Sequence, residues 1–261
     1  MTATKPCLCI FSDAGLAALD AFIDRATLLT FDLDGTLAPI VADPAGIVIP
    51  APVREKLVRL CRLADVAVLT GRARDDARAH LGFEPRFIVG NHGAEGLPGW
   101  QTQEREFVGL CRHWEDQLRA LLPQASASGI GIENKGRSLT LHYRNAPAPD
   151  AALASIRRAA ERLTPVPRCT SGKFVVNIVP SESLNKGEAL LMLMAHAGAH
   201  RAVFIGDDVT DEDVFRLRND RVLGIRVGNH SPSEAEYCLS DQNQIGRLLT
   251  EIIRIVEREI R

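Results

Sequence analysis

Thr27-Leu28-Leu29-Thr30-Phe31-Asp32-Leu33-Asp34-Gly35-Thr36 is the stretch whose reading decides the fold. Its first five residues make a short, largely apolar run, suited to a buried strand of a parallel sheet. The run ends on a carboxylate. In open α/β sheets ligands collect beyond the carboxyl ends of the strands, so Asp32 stands where chemistry is expected.

Working outward, similar runs recur at Val66–Leu69, Phe87–Val89, Ala202–Ile205 and Leu223–Val227. Helical periodicity fills the gaps at 52–63, 73–81, 186–197 and 211–217. A helix over Asp13–Arg25, with Ser12 as its N-cap, precedes the first strand, and a helix over 243–261 closes the chain. This alternation predicts a Rossmann-like α/β core, a parallel sheet with helices on both faces. From about Trp100 to Pro180 the pattern changes. A long helix near 103–122, alternating strands at 129–134 and 138–144, a helix at 149–163 and strands at 165–170 and 173–179 read as an open α/β layer. Prolines 147, 149, 165, 167 and 180 punctuate it. The expected organisation is therefore a core from residues 1–99 and 181–261 with an inserted α/β domain over 100–180.

Composition excludes several classes of function. The 261 residues are 46% apolar and 25% charged, ordinary for a globular protein. A formal net charge of -2 gives no general reason to expect nucleic acid or an anionic membrane as partner. The six cysteines form no CxxC pair and no metal-ligand cluster; Cys7-Leu8-Cys9 reads as two unremarkable thiols near a frayed terminus. There is no signal-peptide pattern and no apolar run near the ~20 residues of a membrane helix. A reduced, cytoplasmic protein is expected, and a monomer, since neither heptads nor a conspicuous apolar face suggest otherwise.

The chemistry sits at the strand ends. After the first strand come Asp32, Asp34, Gly35 and Thr36; after the second Thr70-Gly71-Arg72; after the fourth Gly206-Asp207-Asp208-Val209-Thr210-Asp211. Lys186 begins the helix before that fourth strand. A carboxylate can attack phosphorus and divide a hard hydrolysis into two easier steps, the role assigned to Asp32. Oxygen ligands suit Mg²⁺, which takes one or two carboxylates plus substrate phosphate; Asp32 and Asp207 can supply them. Gly35 permits a sharp turn that sets Asp34 beside the leaving oxygen, as general acid and then base. Thr70, with Gly71 in the same turn, and Lys186 fit phosphate binding as hydroxyl donor and point charge. An Asp at a strand end is more often a turn or cap residue, and it is the convergence of these groups that argues for a site.

The order DxDGT, TGR, Lys, GDDxTDE resembles the haloacid dehalogenase superfamily, and more narrowly the trehalose-6-phosphate phosphatases. The narrower likeness rests on residues 31–37, Gly90-Asn91-His92-Gly93-Ala94-Glu95, Leu139-Thr140-Leu141-His142-Tyr143-Arg144 and 206–212. The resemblance implies hydrolysis of trehalose 6-phosphate through an aspartyl-phosphate, with an α/β cap inserted where the middle domain is expected. It implies Asp32 as nucleophile, Asp34 as acid/base, Thr70 and Lys186 on phosphate, and Mg²⁺ held by Asp32, the Asp34 carbonyl and Asp207. Asp211 would hold a metal-bound water, and Asp208 would touch the metal shell or orient Lys186. For the sugar, Glu133, Lys135 and Arg144, with Lys173 behind them, are the matching cap residues; Arg72 joins them as a substrate contact. Each is equally readable as a solvated strand residue. His92 would bridge core and cap or serve as a structural histidine. Asn177 departs from the pattern, standing where the family carries Glu, so another sugar or polyol phosphate remains as an alternative substrate. A non-catalytic sugar-phosphate sensor and a mutase working through the same intermediate complete the alternatives.

Overall fold

A computed structural model describes residues 7–41, 43–172, 174–217, 219–228 and 232–260. The chain divides into two compact units, one running to Gly93 and resuming at Asn185, the other spanning Ala94–Leu184.

The first unit contains strands β1 (Leu8–Cys9), β2 (Thr27–Phe31), β3 (Val66–Leu69) and β4 (Phe87–Val89), with helices α1 (Asp13–Phe22), α2 (Ala51–Leu60) and α3 (Arg74–Leu81). The second unit supplies α4 (Gln101–Leu121), β5 (Gly131–Asn134), β6 (Leu139–His142), α5 (Pro149–Ala160), β7 (Arg168–Gly172) and β8 (Val175–Val179). The first unit then resumes with α6 (Lys186–Ala197), β9 (Arg201–Gly206), α7 (Glu212–Phe215), β10 (Val222–Val227), β11 (Tyr237–Leu239) and α8 (Ile245–Ile260).

Its seven strands lie in the order β1-β11-β10-β9-β2-β3-β4, every pair parallel. Alternate residues of each central strand serve opposite faces. Leu29, Phe31, Val203 and Ile205 join a core with Leu57 of α2 and Leu248, Leu249 and Ile252 of α8. Across the sheet, Leu28, Ala202 and Phe204 are buried, as are Leu190 and Leu193 of α6; Phe215 of α7 meets Phe204 edge-on at 5.8 Å. Burial on both faces explains why these strands read as continuous apolar runs.

Two strands escape the sequence reading. β1 and β11 are two and three residues long, too short for periodicity to register. Leu8 and Cys9, expected near a frayed end, pair in register with Tyr237 and Cys238.

The second unit is an antiparallel sheet, β5-β6-β8-β7, with α4 and α5 sharing its apolar face. Leu139, Leu141, Val176 and Ile178 point toward Trp114 and Leu118 of α4 and Ile156 of α5. The opposite face is polar, and its register aligns Glu133, Thr140, Asn177 and Thr170 in one row across all four strands. No helix among the described residues is long and apolar enough to cross a membrane.

Trp114 is fully buried, and its indole N–H donates to the Pro165 carbonyl at 2.7 Å. Trp114→Phe should lower stability by about 1–3 kcal/mol, through a lost hydrogen bond, an unsatisfied carbonyl and reduced packing. Urea unfolding followed by circular dichroism reads the shift in midpoint, and an unchanged midpoint would contradict this account.

Candidate active site

The register of one strand pair builds the site. β2 and β9 are neighbours, with Phe31 opposite Ile205 and the Asp32 N–H donating to the Ile205 carbonyl at 2.8 Å. Asp32 and the Gly206-Asp207 turn therefore leave the sheet side by side. Asp32, Asp207 and Asp211 each offer a carboxylate oxygen within 4.8 Å of the others.

Lys186 enters this cluster from the first turn of α6. Its ammonium donates to Asp32 Oδ1 at 2.9 Å and to Asp211 Oδ1 at 2.6 Å, and all three side chains are buried. A cation at a helix N-terminus opposes the helix dipole. The two carboxylates offset that cost, and the end of α6 is secured by a reciprocal capping box between Asn185 and Glu188.

Glycine is required twice at this point. Gly35 has φ of +84°, and a Cβ there would overlap the Asp207 carboxylate. At Gly206 a Cβ would overlap the carboxylate of Asp211. Both acids thus lie directly against a backbone without side chains. Asp207 also accepts from the Thr36 hydroxyl at 3.1 Å.

The charge balance within the cluster is uneven, with three carboxylates facing one ammonium. Burial pushes the Asp32 carboxyl well above its usual range; Lys186 opposes this, while Asp211 and Asp207 add to it. Burial, then Asp211, push Asp207 up to about 7. Burial alone would lower Lys186, yet Asp211 and Asp32 outweigh it and hold the lysine protonated. Clustered acid oxygens with surplus negative charge are the donor set of a hard divalent cation, and a metal ion fits this site on its chemistry.

Asp34 takes a different direction. Its carboxylate lies in the guanidinium fork of Arg72, with Nε to Oδ2 and Nη2 to Oδ1 both at 2.7 Å. Arg72, expected as a substrate contact, is buried, and also donates to Asp76 at 2.8 Å and to the Pro44 carbonyl at 2.7 Å. Thr70 is buried at the same strand end, its hydroxyl accepting from the Arg72 N–H at 3.2 Å. Gly71 lies against the His92 ring, which a Cβ at Gly71 would strike. The His92 and Arg72 loops are joined by the Asn91 N–H donating to the Arg72 carbonyl at 2.7 Å. Asp208, expected to touch a metal shell or orient Lys186, is exposed and gives its backbone N–H to Asp211 at 2.8 Å; Asp32 and Asp211 orient the lysine instead.

In the second unit, Glu133 pairs with His142 at 2.7 Å and approaches Lys135 at 4.0 Å. Arg144 is exposed beyond the end of β6. Asn177 is buried, its carbonyl accepting from the Thr140 hydroxyl at 2.9 Å. Lys173 lies outside the described residues. Sequence reasoning did not single out Thr36, Asp76, His142 or Thr140 for the site. Thr36 and the two β6 residues lie within motifs already quoted, whereas nothing local marks Asp76.

The raised Asp207 fixes the sign of a pH effect. Its proton is held more tightly in the folded state, so the stability it contributes is full below about 4 and lost as pH rises through about 7. A divalent cation displaces that proton, so its binding strengthens over the same window. The rise in Tm on adding a divalent cation should be larger at pH 8 than at pH 6, and Asp207→Asn should reduce the difference. Equal increments at both pH values in differential scanning fluorimetry would refute this.

The trehalose-phosphatase family model matches residues 30–243. A probable trehalose-phosphate phosphatase 4 from Oryza sativa subsp. japonica is 29% identical over 246 residues, covering 88% of this chain and 66% of that protein. A trehalose-phosphate phosphatase from Mycobacterium tuberculosis (strain ATCC 25618 / H37Rv) is 31% identical over 218 residues, 77% of this chain and 53% of that one. The chain thus spans about two thirds of the rice relative and about half of the mycobacterial one. Among solved structures, the C-terminal domain of Candida albicans trehalose-6-phosphate phosphatase superposes with a TM-score of 0.74 at 20% identity, covering 97% of this chain and 99% of that domain. The fold is shared as well with a haloacid dehalogenase-like hydrolase from Bacteroides thetaiotaomicron, at a TM-score of 0.61 and 17% identity over 88% of this chain and 100% of that one, the fold that the resemblance implied. The model match covers most of the chain, including the Asp32, Lys186 and Asp207 loops: the chain belongs to the trehalose-phosphatase family.

Proposed function

We propose that the chain is a Mg²⁺-dependent phosphatase that hydrolyses trehalose 6-phosphate to trehalose and phosphate through an aspartyl-phosphate. The observation that carries this reading is the buried ammonium of Lys186 shared between Asp32 and Asp211, with Asp207 completing an acidic triad. Asp32, Asp207 and Asp211, with the Asp34 carbonyl, are the residues that would hold the cation. Bound there, Mg²⁺ supplies charge neutralisation for the carboxylates and the phosphate dianion.

The chain's own groups divide the remaining work. An Asp32 oxygen attacks phosphorus as the bond from phosphorus to the sugar oxygen breaks, and Asp34 gives its proton to that departing oxygen. Asp34 then takes a proton from the water that attacks the aspartyl-phosphate, and the bond to Asp32 breaks. Lys186, kept protonated by its two acids, is a fixed positive charge against the phosphate oxygens, and the Thr70 hydroxyl can donate to them.

The inserted unit is assigned to the sugar, as a cap. Its polar row places Glu133 and Asn177 on one face of the sheet, with Lys135 next to Glu133 and Arg144 beyond β6. Asn177 is turned by Thr140 so that its carbonyl is occupied, leaving its NH₂ to donate where a glutamate would accept. That reversal favours a second reading, a phosphatase for a related sugar phosphate. We also place the enzyme in the reducing cytoplasm, in keeping with six free thiols.

Phosphate release across a panel with Mg²⁺ tests both readings. Trehalose 6-phosphate should be turned over fastest, and chelation should abolish turnover until Mg²⁺ is restored. Asp32→Asn should reduce kcat by about 10³-fold or more. Faster turnover of sucrose 6-phosphate or glucose 6-phosphate would decide for the second reading. Survival of activity in Asp32→Asn would remove the nucleophile assignment.

A further inference from the structure

Asp32 and Asp34 are two residues apart, yet they are held by different cations. Asp32 meets the Lys186 ammonium at 2.9 Å, while Asp34 lies in a two-pronged contact with Arg72 at 2.7 Å on each prong. The guanidinium of Arg72 is committed within the protein. Nε and one Nη2 hydrogen go to Asp34, the other Nη2 hydrogen to the Pro44 carbonyl at 2.7 Å, and Nη1 to Asp76 at 2.8 Å. Its backbone is fixed as well, with N–H to the Thr70 hydroxyl and C=O from the Asn91 N–H. With the side chain buried and four of its five donors engaged, Arg72 keeps only one Nη1 hydrogen for any further partner, and a two-pronged contact with substrate would require displacing the ones it has.

We propose that Arg72 is the positioning residue for Asp34, fixing the acid/base carboxylate through its fork, rather than a contact for the substrate. The proposal rests on the phosphatase reading above. Asp34 is at the start of a glycine turn, with Gly35 at φ of +84°, and its side chain remains about one-third exposed at 36%. Without the fork, its carboxylate would be free to sample several rotamers. Arg72 in turn is anchored by the first turn of α3 through Asp76 and by residue 44 in the segment following Asp34. One planar group thus fixes the acid/base carboxylate against the β3 loop. A lysine could not replace it, because an ammonium cannot span both oxygens of Asp34 while meeting Asp76 and Pro44.

Acting through Asp34 carries a kinetic signature. Attack by Asp32 on 4-nitrophenyl phosphate expels a phenolate that needs no proton, so the first step proceeds without Asp34. Hydrolysis of the aspartyl-phosphate still requires Asp34 as base. An enzyme with a misplaced Asp34 should therefore accumulate the phosphoryl-enzyme.

Rapid mixing of the Mg²⁺-loaded full chain with 4-nitrophenyl phosphate tests this. Arg72→Ala should give a burst of nitrophenolate stoichiometric with enzyme, followed by a steady state about 10²-fold slower than the parent, with kcat/KM little changed and KM therefore lowered along with kcat. Asp34→Asn should behave alike, and the double variant should be no slower than Asp34→Asn alone, because two residues acting as one unit are not additive. Arg72→Lys, which keeps the charge beside Asp34 and Asp76 but loses the fork, carries the same test if the alanine variant folds poorly. A slow first step without a burst, a KM raised tenfold or more in Arg72→Ala alone, or penalties that multiply in the double variant would each overturn the proposal. A parent chain that releases neither nitrophenolate nor phosphate would overturn the phosphatase reading itself.

Discussion

The contact on which the site depends is the Lys186 ammonium held between Asp32 and Asp211 inside the protein. Desolvating an ion costs several kcal/mol even after relaxation, and here three acids share one lysine. Such an arrangement persists only where the surroundings leave no alternative. Gly35 and Gly206 let Asp207 and Asp211 lie against bare backbone, and the capping box of α6 holds a cation at the unfavourable end of a helix. These features make little sense as stability devices. They make sense as a site whose excess negative charge is reserved for a cation and whose ammonium is reserved for an anion.

Strand register converts that local demand into a demand on the whole sheet. Because Phe31 lies opposite Ile205, Asp32 and the Asp207 turn emerge together; a slip of one residue would turn Asp32 to the other face. Leu29, Phe31, Val203 and Ile205 on one face, and Leu28, Ala202 and Phe204 on the other, oppose any slip, since every one is buried. The apolar core thus does more than stabilise the unit: it fixes the spacing of the acids.

Much of this was legible in the sequence, for identifiable reasons. Strands buried on both faces leave unbroken apolar runs, and β2, β3 and β4 begin and end where those runs do. Acids at the strand ends could be read because their type and order are local. Pairings were not legible. Nothing near Arg72 says that its guanidinium serves Asp34, Asp76 and Pro44, and nothing near Asp208 says that Asp211 takes the lysine. Those partnerships come from the fold bringing loops together, and β1 and β11 exist only because each has a neighbour to pair with.

The second unit illustrates the same limit from the side of specificity. Alternation along β6 and β8 separates Leu139, Leu141, Val176 and Ile178, which build a core, from Thr140 and Asn177, which do not. Asn177 alone reads as a departure from a family glutamate. Beside Thr140 it becomes an oriented amide, its carbonyl accepting from the Thr140 hydroxyl. An amide so placed can donate through its NH₂, which a glutamate carboxylate cannot. On the proposed function, residue 177 would bear on which sugar hydroxyl arrangement is preferred, while Asp32, Lys186 and Asp207, in the other unit, would serve the chemistry at phosphorus irrespective of the sugar. On that proposal, variation at such a row would alter the substrate without disturbing the chemistry, because the two sets of residues are built on separate cores.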